Sequence, residues 1–314
     1  MKDIVVIGGT GFAGRYLVPV LARRKDVRVR VLVHTNAPAE LFTAENVVAY
    51  KGDLLNAQTL AGLCVENATV VNLAYLRGRP RWENLLATSN LLEACIKARA
   101  GRFIHCSTVS VFGRITGNLV TERTECHPVD EYETTKMEIE KRILETAGQA
   151  LKVAVLRPSA IFGPGGKNLL KLANDLKSRG ALSNYIKACL SGSRRMNLVS
   201  VHNVVAALVL LIDTTREVGR EVFIVSDDEC GANNYGYVES QIRSALGLNK
   251  YPLPVFPVPS FVLKGLLRLA GKSNYNPCCT YSSEKILSMG FKSAVAFEDA
   301  LAEFAQWRKV NPEP

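Results

Sequence analysis

The sequence predicts an α/β fold, a doubly wound parallel sheet with a smaller C-terminal lobe. Short β-branched apolar runs alternate with helical segments through the first half of the chain, which is the pattern of a parallel sheet with helices on both faces. A glycine-rich turn follows the first apolar run directly. The alternation loosens after Arg157, and a stretch with four prolines at residues 251–259 ends the regular pattern.

The apolar runs define the expected strands. Each is short and rich in Val, Ile or Leu, as is typical of strands that are buried on both faces. The predicted strands are residues 3–7, 27–33, 47–50, 69–73, 102–106, 152–156 and 221–225, with a strand and a helix together at 196–212. Helices are predicted at residues 15–24, 57–64, 82–99, 132–147, 261–270 and 297–309, and a helix with loops at 167–193.

The composition is ordinary for a soluble globular chain, with 47% hydrophobic and 22% charged residues among 314. The longest apolar stretch, residues 204–212, is far shorter than the ~20 residues of a bilayer span, and no secretory signal is visible. We therefore expect a cytoplasmic protein with no membrane partner and reduced cysteines. No histidine stands at ligand spacing from a cysteine pair, so no metal is expected. The net charge of +10 favours an anionic small molecule, and the scattered basic residues do not predict a nucleic-acid partner.

A glycine-rich turn links the first predicted strand to the first helix. Its glycines have G-x-x-G-x-x-G spacing, and residues without Cβ allow the backbone to approach a pyrophosphate closely. The N–H groups of the following helix then point at the phosphates. The context of strand, turn and helix predicts a dinucleotide site. The residues expected to bind the dinucleotide here are Gly8, Thr10, Gly11, Phe12, Ala13, Gly14 and Arg15.

The end of the second strand predicts which dinucleotide is bound. A carboxylate at this position would accept a hydrogen bond from the 2′-hydroxyl of NAD and repel the 2′-phosphate of NADP. This chain has His34 there, and no acid appears before Glu40. Arg15 either reaches a 2′-phosphate or is a solvated helix residue. NADP is favoured over NAD on this pattern.

Tyr132 and Lys136 form a Y-x-x-x-K pair on one face of a predicted helix. A phenol with a pKa near ~10 is a poor base at neutral pH, and a neighbouring ammonium should lower that pKa. Lys136 can also hold the nicotinamide ribose. A second match at residues 281–285 lies beyond the proline-rich stretch. We assign the chemistry to Tyr132, because it lies downstream of Ser107 and Thr108, at a strand end where parallel sheets place active sites.

These motifs, in this order, resemble the extended short-chain dehydrogenases/reductases, the group of nucleotide-sugar epimerases, dehydratases and 3β-hydroxysteroid dehydrogenases. The resemblance covers essentially the whole chain and implies a Rossmann-like sheet with a smaller C-terminal substrate-binding lobe. It implies a catalytic role for Thr108, Tyr132 and Lys136, and a supporting role for Asn84. It also places further residues at the cofactor, namely Asp53, Leu54, Leu73, Ala74, Arg157 and Pro158.

The same order of elements predicts the domain boundaries. Residues 1–165 are assigned to the NAD(P)-binding domain, with residues 194–228 returning to its sheet. Residues 166–193 and 229–314 are assigned to the substrate-binding lobe. A homodimer remains open.

The residues around Thr108 restrict the reaction. Dehydratases of the resembled group carry Asp-Glu after this threonine, and related decarboxylases carry a Glu, whereas this chain has Val109 and Ser110. Epimerisation, or a net oxidation or reduction of a hydroxyl or keto group, therefore remains. Ser107, Thr108 and Arg195 are the expected substrate contacts, although the usual R-D-x-x-H-V-x-D motif is altered here.

Three functions remain open on the sequence alone. The first is an oxidoreductase or epimerase of a nucleotide sugar or similar substrate. The second is an NADP-dependent keto-reductase or hydroxysteroid-type dehydrogenase. The third, from another class, is a non-catalytic NADP-binding regulator or assembly factor. The presence of Tyr132 and Lys136 beside Thr108 favours an enzyme.

Overall fold

A computed structural model of the chain describes residues 1–34, 38–146, 151–216, 218–269 and 275–312. The residues that follow His34, and the last residues of the helices predicted at 132–147 and 261–270, lie outside these ranges.

The central feature is a seven-stranded sheet with the order β10-β7-β5-β4-β1-β2-β3. Strand β1 pairs in parallel with β2 on one side and with β4 on the other, so the winding direction reverses between β1 and β4. This topology confirms the predicted doubly wound α/β fold. The strands are β1 Lys2–Ile7, β2 Val27–Val33, β3 Val47–Lys51, β4 Thr69–Asn72, β5 Arg102–Cys106, β6 Leu119–Val120, β7 Lys152–Pro158, β8 Ala160–Phe162, β9 Leu198–Ser200, β10 Glu221–Val225 and β11 Thr280–Tyr281.

Helices connect most of these strands. The helices are α1 Phe12–Ala22, α2 Arg81–Lys97, α3 Glu131–Thr146, α4 Leu170–Ser178, α5 Ala181–Ser191, α6 Val201–Asp213, α7 Tyr235–Ala245, α8 Ser260–Leu269, α9 Glu284–Ser288 and α10 Phe297–Val310. Short 3₁₀ segments lie at Ala39–Phe42, Ala57–Leu60 and Val109–Phe112.

The elements that differ from the sequence prediction include the following three. The helix predicted at 57–64 is only a 3₁₀ turn at Ala57–Leu60, because the Thr59 hydroxyl donates to the carbonyls of Asp53 and Asn56 and Gly62 has a φ of +81°. Residues 167–193 form two helices, α4 and α5, that meet at Gly180. Helix α7 was not predicted; the Asn234 side chain caps it by accepting from the N–H of Tyr237 at 2.9 Å.

The chain forms two compact units. The first comprises Met1–Val111, Asp130–Arg157 and Ala207–Phe223, and the second comprises Phe112–Val129, Pro158–Ala206 and Ile224–Pro314. The ranges predicted from the sequence overlap these units without coinciding with them. In particular, within residues 194–228 only β10 joins the main sheet, whereas β9 pairs with β8 in a separate two-stranded sheet.

Each unit has its own apolar core. In the first, strand residues such as Val5, Val70 and Phe103 pack with Leu91 of α2 and Ile139 of α3. In the second, helices α4, α7 and α10 pack with β8 and β9. No described helix is both long and apolar enough to cross a bilayer.

Candidate active site

The turn after β1 has the geometry of a phosphate cradle. Gly8 has a φ of +78°, and its carbonyl accepts from the N–H of Gly11 at 3.0 Å. A Cβ on Gly14 would lie 2.3 Å from the carbonyl oxygen of Gly8, so only glycine fits there. Gly11 is the N-cap of α1, and it has no side chain that could accept from the N–H groups of the first turn. The first turn of the helix therefore presents backbone N–H groups that suit the pyrophosphate of a dinucleotide.

The remaining residues predicted for this turn lie in the same place. Phe12 and Ala13 open α1, and Thr10 precedes it. Arg15 lies one turn into the helix and is exposed, and its Nε donates to the carbonyl of Thr10 at 2.9 Å. Its guanidinium is thereby held at the phosphate end of α1.

The segments after β2 and β3 bring His34 and Asp53 together. Nε2 of His34 lies 3.5 Å from Oδ2 of Asp53. The other carboxylate oxygen of Asp53 accepts from the N–H of Leu55 at 2.9 Å, which fixes the acid in a turn. The neighbouring Leu54 carbonyl accepts from Asn90 of α2 at 2.9 Å. His34 and Asp53 therefore form one polar edge at the ends of adjacent strands.

The segment after β4 lies against the glycine turn. The N–H of Leu73 donates to the carbonyl of Ile7 at 2.9 Å. A Cβ on Gly8 would lie 3.0 Å from the backbone N of Ala74, so the two segments are in close contact. Asn84 holds the continuation of this segment, because its side chain accepts from the N–H of Leu76 at 2.9 Å and donates to the carbonyl of Leu76 at 3.2 Å. Asn84 thus supports the loop through backbone contacts.

Ser107 and Thr108 follow β5. The N–H of Ser107 donates to the carbonyl of Leu156 at 2.7 Å. Its buried hydroxyl has no hydrogen-bond partner within the described ranges. The Thr108 hydroxyl oxygen accepts from the N–H of Ser110 and donates to the Ser110 hydroxyl, both at 3.1 Å. The Thr108 side chain also lowers the pKa of the Tyr132 phenol, so the two side chains lie close together.

Helix α3 carries Tyr132 and Lys136 to this strand end. Its first turn is capped by Asp130, whose carboxylate accepts from the N–H of Glu133 at 2.8 Å. Lys136 is 4% exposed, and its Nζ donates to the carbonyl of Cys106 at 3.1 Å. The Tyr75 ring lies 5.2 Å from that Nζ and packs edge-on against the Tyr132 ring, with centroids 5.1 Å apart. Tyr132, Lys136 and Thr108 thus lie close together at the end of β5.

The electrostatics correct one expectation. The sequence predicts that Lys136 lowers the pKa of Tyr132, but burial raises the pKa of the Tyr132 phenol, and Arg77 and the Thr108 side chain oppose that rise. The Lys136 ammonium donates to the backbone carbonyl of Cys106. Burial likewise lowers the pKa of Lys136, against the opposing effects of Cys106 and Glu140.

Sequence reasoning missed Glu140 and His105. Glu140 lies one turn after Lys136, and its two carboxylate oxygens accept from Nε and Nη2 of Arg157 at 3.1 and 2.6 Å. Both side chains are buried, so Arg157, predicted at the cofactor, is the partner of an interior carboxylate. The i, i+4 spacing after Lys136 could have indicated Glu140. His105 is fully buried on β5, and burial, reinforced by the Lys136 charge, puts its pKa well below its usual value.

Two predicted residues lie in the second unit. Pro158 ends β7. The backbone N–H of Arg195 donates to the carbonyl of Pro277 at 2.8 Å, and its Nη1 donates to the carbonyl of Cys230 at 3.1 Å. The second Y-x-x-x-K match also lies in this unit. Tyr281 is a buried strand residue whose ring packs with Phe112, and Lys285 lies on the separate helix α9.

The described residues contain no group of three or more His, Cys, Asp or Glu side chains that could hold a metal ion. The polar side chains at the end of β5 are hydroxyls, a phenol and an ammonium. These suit proton transfer and hydrogen bonding to a substrate oxygen.

A doubly wound sheet with a glycine-rich first turn, together with a tyrosine–lysine helix beside a strand-end threonine, defines an enzyme of the extended short-chain dehydrogenase/reductase class. The profile of the NAD dependent epimerase/dehydratase family matches residues 4–225, and the chain belongs to that family.

Known proteins resemble the chain over most of its length. It is 28% identical over 325 aligned residues to the UDP-glucose 4-epimerase of Vibrio cholerae. The alignment covers 97% of this chain and 95% of that protein. It is 30% identical over 233 residues to 3beta-hydroxysteroid-dehydrogenase/decarboxylase isoform 1 of Arabidopsis thaliana, covering 65% of this chain but only 51% of that relative.

A solved structure gives the same picture of the fold. The dTDP-glucose 4,6-dehydratase of Bacillus anthracis str. Ames, crystallised in complex with NAD, superposes with a TM-score of 0.74 at 20% identity and covers 99% of this chain and 97% of that one. At this identity the likeness supports the shared fold.

Proposed function

We propose that this protein is an oxidoreductase or epimerase that acts on a hydroxyl or keto group of a nucleotide sugar or a similar substrate, with Tyr132 as its acid/base. The observation that carries the proposal is the placement of Thr108 and Tyr132 together at the end of β5, with Lys136 one helical turn away. A bound nicotinamide dinucleotide would supply the hydride exchange. The glycine turn and the segment after β4 would hold it.

The side chains divide the proton chemistry between them. The raised pKa keeps the Tyr132 phenol protonated at neutral pH, which is the form that can donate a proton to a developing alkoxide. Thr108 lies beside the phenol and can polarise the same substrate oxygen. Ser107 precedes Thr108 and is the further substrate contact expected from the sequence. The buried Lys136 charge next to this group favours the deprotonated phenol after transfer.

The proposed reaction is epimerisation or a net redox step. Elimination of water needs a carboxyl beside the catalytic hydroxyl, and the structure has a 3₁₀ turn at Val109–Phe112 with Val109 buried. A valine side chain transfers no proton. The similarity to a 4,6-dehydratase structure therefore supports this proposal through the shared fold. We do not extend the proposal to the elimination of water.

The substrate class can be tested by turnover. We expect interconversion or oxidation of at least one sugar in a panel of UDP- and dTDP-linked hexoses, measured by chromatography and by dinucleotide absorbance. The relative named as a hydroxysteroid dehydrogenase/decarboxylase motivates a parallel panel of hydroxysteroids, and turnover only there would favour the second candidate function. Tight dinucleotide binding without turnover on either panel would instead support a non-catalytic NADP-binding regulator.

We further propose that NADP is bound in preference to NAD, since His34 stands where an acid would repel the 2′-phosphate and Arg15 is held at the phosphate end of α1. Titration should show NADPH bound more tightly than NADH. Arg15→Ala should weaken NADPH roughly tenfold or more, the loss of one charge-assisted hydrogen bond, and leave NADH nearly unchanged.

The matched control is Arg23→Ala, an exposed arginine at the opposite end of α1. It should leave both affinities unaltered. Equal binding of NADPH and NADH by the parent protein, or an equal effect of both variants, would contradict the proposed preference.

A further inference from the structure

The net positive charge of this chain comes from two segments. Residues 167–195 contain seven lysines and arginines and one acid, Asp175, and residues 250–275 contain four basic residues and no acid. The whole chain has 39 basic and 29 acidic residues, so the remainder carries 28 of each. The net charge of +10 is therefore that of these two segments, and both belong to the second unit.

The same segments expose large apolar side chains. Helix α8 buries only Leu263. Val262, Leu266 and Leu269 stand at i, i+4 and i+7 and share an exposed face. Leu269 is 87% exposed, and the neighbouring Phe261 is 75% exposed. An apolar face of this kind turned to water is uncommon on a soluble domain and indicates an interaction surface.

Contacts join the proline-rich stretch before α8 to helix α5. The Tyr185 hydroxyl donates to the carbonyl of Pro254 at 2.9 Å, and the N–H of Val258 donates to the carbonyl of Cys189 at 2.8 Å. Tyr185 also packs edge-on against Tyr251, with ring centroids 5.4 Å apart. The stretch is therefore fastened to α5, although it has no regular secondary structure.

Helix α5 and the stretch fastened to it also expose apolar side chains. Leu182 and Ile186 lie one turn apart on α5, and Leu253 and Phe256 lie in the fastened stretch. All four are at least half exposed. We define the basic apolar surface as these residues together with α8 and its charges: Leu182, Ile186, Leu253, Phe256, Phe261, Leu266, Leu269, Lys250, Lys264 and Arg268.

We propose that the basic apolar surface docks on an anionic membrane surface. Helix α8 would lie in the headgroup region, where its Phe and Leu side chains would enter the acyl boundary. The lysines and arginines would face anionic headgroups, each adding attraction of about fivefold in affinity. Peripheral docking of this kind departs from the expectation of no membrane partner, which rested on the length of the apolar stretches in the sequence.

Charge complementarity favours an anionic membrane over the other binding partners that this surface could have. A second copy of the chain would bring an equally basic surface against this one, and like charges oppose such a contact. A nucleic acid would satisfy the basic groups, but its phosphate backbone offers nothing to exposed leucine side chains. An anionic lipid surface alone offers negative charge and an apolar layer in the same place.

Vesicle co-sedimentation tests the proposal independently of any catalytic activity. The full chain should pellet with phosphatidylcholine vesicles containing about 30 mol % phosphatidylglycerol, and far less with pure phosphatidylcholine. Phe261→Glu/Leu266→Glu and Lys264→Glu/Arg268→Glu should each lower the vesicle affinity at least about tenfold. All four residues are on the exposed or partly exposed side of α8, so circular dichroism should stay unchanged.

Matched controls test whether vesicle binding depends on this surface or on exposed apolar residues and positive charge in general. Leu119→Glu/Val310→Glu alters two exposed apolar residues elsewhere, and Lys25→Glu/Lys292→Glu reverses two exposed charges elsewhere. Both should bind vesicles like the parent. Absence of vesicle binding by the parent would overturn the proposal. So would equal losses in controls and test variants, or light scattering that shows a dimer dissociated by Phe261→Glu/Leu266→Glu.

Discussion

Tyr132→Phe should lower kcat by about 10²–10⁴ on any substrate found, while dinucleotide affinity changes little. The substitution keeps the ring that packs edge-on against Tyr75 and removes only the phenol hydroxyl. A proton donor is lost without a change in packing, so the effect should fall on the chemical step. Steady-state kinetics, with a separate dinucleotide titration, measure both quantities.

The chain contains its own control for this experiment. Tyr281 has the same Y-x-x-x-K spacing but is a buried strand residue of the second unit. Tyr281→Phe should leave kcat within about twofold of the parent, since the site residues lie elsewhere. Near-normal kcat in Tyr132→Phe, or a comparable loss in Tyr281→Phe with folding intact, would remove Tyr132 from the proposed mechanism.

Glu140→Ala should lower the free energy of unfolding by about 3–5 kcal/mol, the usual cost of leaving one member of a buried ion pair without its partner. The side chains of Arg157 and Glu140 are only 9% and 3% exposed, and three hydrogen bonds join them to one another. Urea denaturation followed by circular dichroism gives the midpoint and slope from which the change is obtained.

The same helix offers a matched surface pair. Lys141 and Glu145 approach to 3.8 Å with both side chains well exposed, and exposed pairs of this kind contribute little. Glu145→Ala should therefore barely shift the denaturation midpoint. A Glu140→Leu/Arg157→Leu double variant should recover much of the lost stability, because neither charge then remains buried alone. Similar midpoints for Glu140→Ala and Glu145→Ala would contradict the stabilising role of the pair.

Much of the fold is visible in the sequence because its strands have local signatures. Strands β2, β5 and β10 lie at the residues that their apolar runs predict. The 3₁₀ turn at residues 57–60 was not predicted, because the Thr59 side chain competes for backbone carbonyls there. Hydrophobic periodicity does not encode such a contact. Helix α7 escaped because its beginning depends on an asparagine cap.

The site shows the same division between local and tertiary information. The spacing of Tyr132 and Lys136 and the glycine pattern are local, and both were readable. The hydrogen-bond partner of Lys136 is the backbone carbonyl of Cys106, which no side-chain motif can indicate. The pairing of Glu140 with Arg157 depends on α3 packing against β7, and burial of Tyr132 reverses the direction expected for its pKa.

The position of β10 in the sheet has a consequence for synthesis of the chain. The strand beside β7 is supplied by Glu221–Val225, more than sixty residues after β7 ends. A growing or truncated polypeptide that stops near residue 165 would present the Lys152–Pro158 edge, rich in valine and leucine, to other chains. The dinucleotide-binding part is therefore not a portable module, and fragments for expression or fusion need to extend beyond Val225.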